Sequence, residues 1–195
     1  MNKKVLNWCL CFSFIIILIL VILVVLFLKS PKEVVTKKLD GGNISLTYTD
    51  DFNGLTVKKC VPLNDNRGKT LDSADLFFDF SITSELKDAN KIDYEISVKK
   101  DTTLSTTLDE NIRVYLEEEK DDKYVPVFGP ETYLEGTEKT KLGTDVGYMP
   151  ILKVKKTANS TDKYRLRVWL YDKAVFDKKA IQTITMKVYV NGKAS

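Results

Sequence analysis

The sequence contains no histidine and only three cysteines, and these absences exclude several common kinds of catalytic site. Without histidine there is no Ser-His-Asp or Cys-His nucleophile, no histidine-bound zinc and no imidazole base at neutral pH. Cys9 and Cys11 lie in an apolar N-terminal run, so Cys60 stands alone in the rest of the chain. A lone cysteine can neither close an internal disulfide nor build a thiolate zinc site. We therefore expect no enzyme, no catalytic residue, no bound metal and no cofactor.

The 27 acidic residues could supply a carboxylate pair or a calcium site, but no spacing among them indicates either. The segment TDDFNG (Thr49–Gly54) matches part of an EF-hand loop. With Gly54 in the sixth place of such a loop, Thr49 and Cys60 occupy the first and twelfth places, where key ligands belong. Asn53-Gly54 is typical of a tight turn. The sequence favours a turn here, with an irregular calcium site as the open alternative.

Charge is not concentrated in any part of the chain that could bind nucleic acid. All 27 acidic residues lie at Glu33 or later and four of the 30 basic residues precede it, leaving 26 basic against 27 acidic residues from Glu33 onward. A nucleic-acid partner needs a basic face, which this part lacks. The acidic run EEEKDDK, Glu117–Lys123, is predicted to be a solvated turn.

The longest hydrophobic run, Val5–Leu28, has no charged residue and predicts one transmembrane helix. As a helix it spans about 36 Å, against about 30 Å for a bilayer core. A cleaved signal peptide is the alternative, but the run is longer than the usual hydrophobic region of roughly 7–15 residues, and no small-x-small site follows it. We expect residues 1–4 in the cytoplasm, 5–28 as a signal-anchor, 29–42 as a polar tether and 43–195 as a domain outside the cytoplasm. Because Lys29 and Lys32 follow the span, the opposite orientation stays open.

After residue 42, apolar and polar residues alternate with period two, which predicts strands with one buried and one exposed face. The residues expected to face the core on these strands are Ile44, Leu46, Tyr48, Leu76, Phe78, Phe80, Ile82, Ile92, Tyr94, Ile96, Val98, Ile112, Val114, Leu116, Ile184, Met186, Val188 and Val190. Turn residues separate the strands, and no long amphipathic helix is evident. The sequence predicts an all-β fold, an immunoglobulin-like antiparallel β-sandwich of about eight strands.

The segment KYRLRVWLYD, Lys163–Asp172, supplies the candidate binding residues. The residues predicted to face the core are Tyr164, Leu166, Val168 and Leu170. The residues predicted to share the outer face are Arg165, Arg167, Trp169 and Tyr171. One interpretation is that arginine stems and rings cover the outside of the sheet, stacking on neighbours such as Tyr115 or Tyr189. The other is a contact patch for another subunit, a peptide or a glycan, because Trp, Tyr and Arg are the usual interface anchors.

Several segments together resemble uncharacterised single-span surface proteins of low-GC Gram-positive bacteria. They are LTVKKCVPLNDNRGKTLDSADLFFDFSIT, KIDYEISVKK, YRLRVWLYD and ITMKVYV. These surface proteins have a β-sandwich loosely similar to that of the TasA/camelysin group of extracellular matrix proteins. The resemblance covers roughly Leu55 to the C-terminus and implies a surface or structural role, not catalysis. It transfers no functional residue, and the long apolar run departs from the matrix proteins.

The chain is therefore expected to be a membrane-anchored, extracytoplasmic, non-catalytic module. Its expected partners are the membrane, through a single span, and other proteins, cell-wall polymer or copies of itself. The alternative is an accessory subunit of a larger membrane complex, such as secretion or cell-envelope machinery. The span contains no GxxxG motif and no charge, so it shows no sign of helix pairing.

Overall fold

The computed structural model describes residues 33–49, 52–73, 76–177 and 179–195, and the predicted transmembrane segment 5–28 lies outside them. Across these described ranges, no helix has both the length and the apolar character that a membrane crossing requires. The strands are β1 Glu33–Leu39, β2 Gly42–Tyr48, β3 Gly54–Val57, β4 Phe77–Leu86, β5 Ile92–Lys100, β6 Ile112–Lys120, β7 Lys123–Thr132, β8 Met149–Lys156, β9 Ser160–Leu170 and β10 Ile184–Ala194. A short helix, α1, spans Asp65–Gly68, and a 3-10 turn spans Asp109–Asn111.

The strands form two antiparallel sheets. The larger sheet has six strands in the order β1-β2-β4-β9-β6-β7, and the smaller has four in the order β3-β10-β5-β8. The all-β antiparallel prediction is confirmed, with ten strands instead of about eight. Because β9 lies between β4 and β6, the candidate segment is central in the larger sheet.

The core lies between the two sheets and follows the predicted alternation. Phe78 of β4 and Leu166 of β9 are fully buried, as is Tyr94 of β5 in the other sheet. The Tyr94 hydroxyl lies 2.9 Å from the Tyr164 hydroxyl and donates to Asp162 Oδ2 at 2.9 Å. A buried phenol needs such a partner, so this contact fixes the two sheets against each other at one point.

Strand β1 lies within the segment that the sequence indicated as a polar tether. All seven of its residues pair antiparallel with β2, from Glu33 opposite Tyr48 to Leu39 opposite Gly42. Every side chain of β1 except that of Leu39 is exposed. Main-chain pairing, not burial of an apolar face, places this strand in the sheet. The alternation that revealed the other strands is therefore missing from β1.

The outer face of the smaller sheet is partly covered by the loop between β7 and β8. Glu95 and Ser97 point outward from β5, as expected, yet both are buried. Thr140 of this loop donates a hydrogen bond to Glu95 Oε1 at 2.7 Å, and Lys153 Nζ lies 3.4 Å from Glu95 Oε2. A buried carboxylate needs such partners, which here come from the covering loop and from the neighbouring strand β8.

Candidate binding surface

The four candidate residues do share the outer face of the larger sheet, but their surroundings differ. Residues opposite one another in paired strands lie on the same face of a sheet. Asp79 of β4 is opposite Arg165, and Tyr115 of β6 is opposite Arg167. The outer face of β9 is thus bordered on both sides by charged and aromatic side chains.

Arg165 makes two hydrogen bonds and two close ring contacts on this face. Its Nε donates to Asp79 Oδ1 and its Nη2 to Asp79 Oδ2, both at 2.7 Å. Its guanidinium carbon lies 3.9 Å from the ring centroid of Phe77 and 4.2 Å from that of Tyr124. The hydrogen bonds that Arg165 donates to the Asp79 carboxylate raise the pKa of Arg165 above its usual value. Two parallel hydrogen bonds and two rings hold the planar group in one orientation.

Arg167 is only 5% exposed and is paired within the chain. Its Nε donates to Glu117 Oε2 at 3.0 Å, and its Nη2 lies 3.5 Å from Asp72 Oδ1. Its Nη1 is buried and makes no hydrogen bond.

Glu117 belongs to the acidic run that was predicted to be a solvated turn. Residues 117–120 instead belong to β6, and within the run Asp121 and Asp122 form the turn. Their φ values of 52° and 58° are those that a two-residue hairpin turn of type I′ needs at both positions.

Trp169 is 2% exposed, because helix α1 lies over its indole ring. The helix begins after Asn64, whose side chain accepts a hydrogen bond from the Arg67 backbone N–H at 3.0 Å, which is the usual N-cap interaction. Gly68, at the end of α1, contacts the ring, and Tyr115 packs edge-on with its centroid 6.3 Å away. The indole Nε1 is buried and makes no hydrogen bond.

Tyr171 lies just beyond the end of β9 and is half-buried. The guanidinium carbon of Arg113 lies 3.9 Å from its ring centroid, and Arg113 Nη1 donates to Thr132 Oγ1 at 2.6 Å. Tyr171 also forms an isolated parallel bridge with Leu63, the residue before the cap of α1. These contacts join the end of β9 to the segment that covers Trp169.

The structure therefore divides the predicted patch. Arg165 and Tyr171 are partly exposed, whereas Arg167 and Trp169 are buried beneath residues of the same chain. The partly exposed residues around Arg165 are Phe77, Asp79 and Tyr124, which together with it we call the Arg165 cluster. Of these, the alternation in DLFFDF placed Asp79 on the outer face. Phe77 and Tyr124 were missed, because only the strand order shows that they border Arg165.

A concave region lies apart from the Arg165 cluster, at the end of the sandwich that contains Cys60. It is an open groove of about 590 Å³ whose lining includes Cys60, Val61, Phe176 and Ile181. The Cys60 thiol donates to the Val57 carbonyl at 3.2 Å, and burial raises its pKa to about 11. Because the thiolate is the reactive form, this cysteine has the environment of a structural residue.

The tight turn predicted at Asn53-Gly54 is not formed: Phe52 and Asn53 make a bend immediately before β3, Gly54 is the first residue of that strand, and neither Asn53 nor Gly54 has a positive φ. Asn53 Nδ2 donates to the Val188 carbonyl at 2.6 Å, which ties the bend to β10. Asp50 and Asp51, the acidic residues of the alternative calcium loop, lie outside the described residues. Within the part of the chain that is described, no three His, Cys, Asp or Glu side chains are grouped so as to hold a metal ion.

Comparisons with known proteins add little to this description. No protein-family model and no curated protein matches the chain. Among solved structures the chain is similar to one described as "AvmM Catalyzes Macrocyclization in Alchivemycin A Biosynthesis". The identity is 9%, the match covers 83% of this chain and 96% of that one, and the TM-score is 0.29. A TM-score of this size supports no inference about fold or function. The class that the described residues define is thus an all-β protein with two packed antiparallel sheets.

Proposed function

We propose that this chain is a non-catalytic protein-binding module, held at the outer face of a cell membrane by its N-terminal segment. The membrane part of the proposal is supported by the uncharged run Val5–Leu28. The binding part is supported by one observation, the arrangement of the Arg165 cluster. There, an arginine is held between two partly exposed aromatic rings by a carboxylate that fixes its orientation.

Fixed orientation matters because a side chain that is already ordered loses little entropy when a partner binds. Arg and Tyr are also among the residues that most often dominate binding energy at protein interfaces. Arg165 and Tyr124 are of these residue types, their contact fixes their orientation, and they lie on a part of the sheet face that α1 does not cover. Arg167 and Trp169 lie on the same face but are covered by residues of this chain, so they are not part of the proposed contact.

We test the contact by photo-crosslinking on intact native cells. A photoreactive phenylalanine derivative replaces Tyr124, and the matched control carries it at Tyr148, a half-buried tyrosine that packs against Tyr189 with ring centroids 4.8 Å apart. We expect discrete protein adducts from position 124 and none from position 148. Equal adducts from both positions, or none from position 124, would contradict the proposed surface.

The membrane placement is tested separately by adding protease to intact cells. We expect the domain to be degraded, and a domain that is protected until the cells are lysed would contradict the outside location. Replacing residues 5–28 with an unrelated hydrophobic helix tests the accessory-subunit alternative. Under our proposal the adducts from position 124 persist after the exchange, whereas a subunit docked through its span would lose them.

We extend the proposal to the fold class and assign the sandwich to the immunoglobulin-like type. The support is that the chain crosses between two antiparallel sheets of short strands, for example from β2 to β3 and from β4 to β5. An experimental structure tests this assignment. Sheets aligned at about −30° agree with it, and sheets packed near 90° contradict it.

A further inference from the structure

Strand β1 leaves one edge of the larger sheet open. It pairs only with β2, so the main-chain groups on its other side have no strand partner among the described residues. Its sequence, EVVTKKL, contains neither proline nor glycine, and its register with β2 is continuous over seven residues. A regular open edge of this length is a template for pairing with another strand.

The other outer strands each carry a feature that hinders such pairing. Strand β7 contains Pro126 and Pro130, and its register with β6 shifts twice. Strand β8 contains Pro150 and one register shift, and β3 has only four residues. Proline, irregular register and short length are three of the devices by which sheets protect their edges, and charged side chains, lysine above all, are another. Of the outer strands described here, β1 alone has none of the first three, and its protection is limited to the charges of Glu33, Lys37 and Lys38.

The side chains of β1 also leave apolar surface exposed. Val34 is 56% and Val35 is 54% exposed. Val35 lies opposite Leu46 and Val34 opposite Thr47, so the two valines project from opposite faces of the sheet. A further strand beside β1 would cover both.

The charges of β1 indicate that the strand added beside it is the β1 strand of a second copy, in antiparallel orientation. Glu33 lies at the start of the strand, and Lys37 lies near its end. An antiparallel copy with Val35 opposite Val35 places Glu33 of each chain opposite Lys37 of the other. A parallel copy would instead place like charges together, which destabilises a sheet. Lys37 Nζ already donates to Asn191 Oδ1 at 2.5 Å, and an ammonium has further donors for a carboxylate.

We propose that two copies of this chain associate through antiparallel pairing of their β1 strands, centred on Val35. The contact is isologous and joins the two six-stranded sheets into one continuous sheet. Two edge strands bury little surface, so the association is weak in dilute solution, and tethering both copies to one membrane strengthens it. This inference does not depend on the Arg165 cluster and is measured independently of it.

Disulfide crosslinking of the full chain in native membranes tests the proposal. The parent protein carries Cys9→Ser and Cys11→Ser, which leaves Cys60, a partly buried cysteine whose thiol donates to the Val57 carbonyl. Val35→Cys is added to this parent, with Val146→Cys, 58% exposed in the loop between β7 and β8, as the matched control. Because residue 35 faces itself across the proposed pair, we expect oxidised dimer from Val35→Cys and little from Val146→Cys. Equal dimer from both positions, or crosslinking of position 35 only to a different protein, would overturn the proposal.

Charge exchange gives a second and sharper readout in the Val35→Cys protein. Lys37→Glu places two carboxylates opposite each other at both ends of the pair, and we expect the dimer yield to fall about tenfold. The added Glu33→Lys substitution restores opposite charges, and we expect the yield to recover. A dimer yield that does not recover, or that does not fall in the first place, would show that the two strands do not pair in this register. Either result would reject the proposed pairing.

Discussion

Gly68 packs directly against the indole ring of Trp169, so that a Cβ on Gly68 would lie 2.3 Å from Cε2 and 2.4 Å from Cδ2. No real side chain tolerates such distances, so the fit of α1 over β9 requires glycine at this position. We predict that Gly68→Ala lowers the free energy of unfolding by about 1–3 kcal/mol through overpacking. Urea denaturation of the full chain in detergent measures this change.

A double-mutant cycle separates this contact from the helix propensity of the new residue. Because the smaller ring of Trp169→Phe leaves room for a methyl group, Gly68→Ala should cost less in that background. Asn66→Ala, on the exposed side of the same helix, serves as the control and should change stability little. Strictly additive effects of the Gly68 and Trp169 substitutions would show that the two residues do not interact.

The buried Arg167–Glu117 pair leads to a second prediction. Side-chain exposure is 6% for Arg167 and 11% for Glu117, so removing one partner leaves a charge in a poorly solvated site. We expect Glu117→Ala to cost about 3–5 kcal/mol. The double variant Glu117→Leu/Arg167→Met replaces both charges with apolar groups and should recover most of this loss. A double variant as unstable as the single one would mean that the pair contributes more than charge compensation.

Arg165→Lys should not behave as a conservative change. Lysine keeps the charge but loses the second hydrogen bond to Asp79 and the stacking on Phe77 and Tyr124. We predict a loss of about 1–2 kcal/mol in the free energy of unfolding. Lys163→Arg is the control, since the Lys163 side chain is largely exposed and forms a single ion pair with Glu119. If Arg165→Lys lowers the free energy of unfolding no more than Lys163→Arg does, the two rings contribute nothing to holding the guanidinium.

How well the sequence predicted each element depended on whether burial or main-chain pairing holds it in place. Phe78, Tyr94 and Leu166 were predicted correctly, because a strand with one buried face alternates in polarity at every position. Strand β1 was missed because both of its faces are largely exposed, so its position shows in no local pattern. Such a strand can be identified only from its pairing with β2.

The candidate surface was predicted only in part for a related reason. That Arg167 and Trp169 point outward follows from alternation within ten residues. Their burial depends on Gly68 and Glu117, which are about 100 and 50 positions away in the sequence. Period-two patterns show which side of a strand a residue occupies, but not whether a distant segment covers that side. Helix α1, which covers Trp169, has a capping asparagine that can be seen in the sequence. It has no apolar periodicity that would show which surface it packs against.

The Tyr94 hydroxyl, with its contacts to Tyr164 and Asp162 between the sheets, leads us to predict a loss of stability at alkaline pH. Burial raises the pKa values of Tyr94 and Tyr164 above 10, their usual value, and the same cause raises that of Tyr133. A phenol whose pKa is higher in the folded than in the unfolded state stabilises the fold fully below the unfolded pKa. This stabilisation is lost as the pH rises through the folded pKa. The free energy of unfolding should therefore fall above about pH 10, measured by urea denaturation at each pH.

Tyr94→Phe identifies the source of this loss. At neutral pH the variant lacks the hydrogen bonds to Asp162 and Tyr164 and should be less stable by about 1–2 kcal/mol. Above pH 10 its further loss should be smaller than that of the unsubstituted protein, because one buried phenol no longer has to ionise. Phenolate absorbance near 295 nm should show the buried tyrosines ionising together with unfolding. Ionisation of all nine tyrosines before the β-sheet circular dichroism signal is lost would contradict the buried hydrogen-bonded cluster.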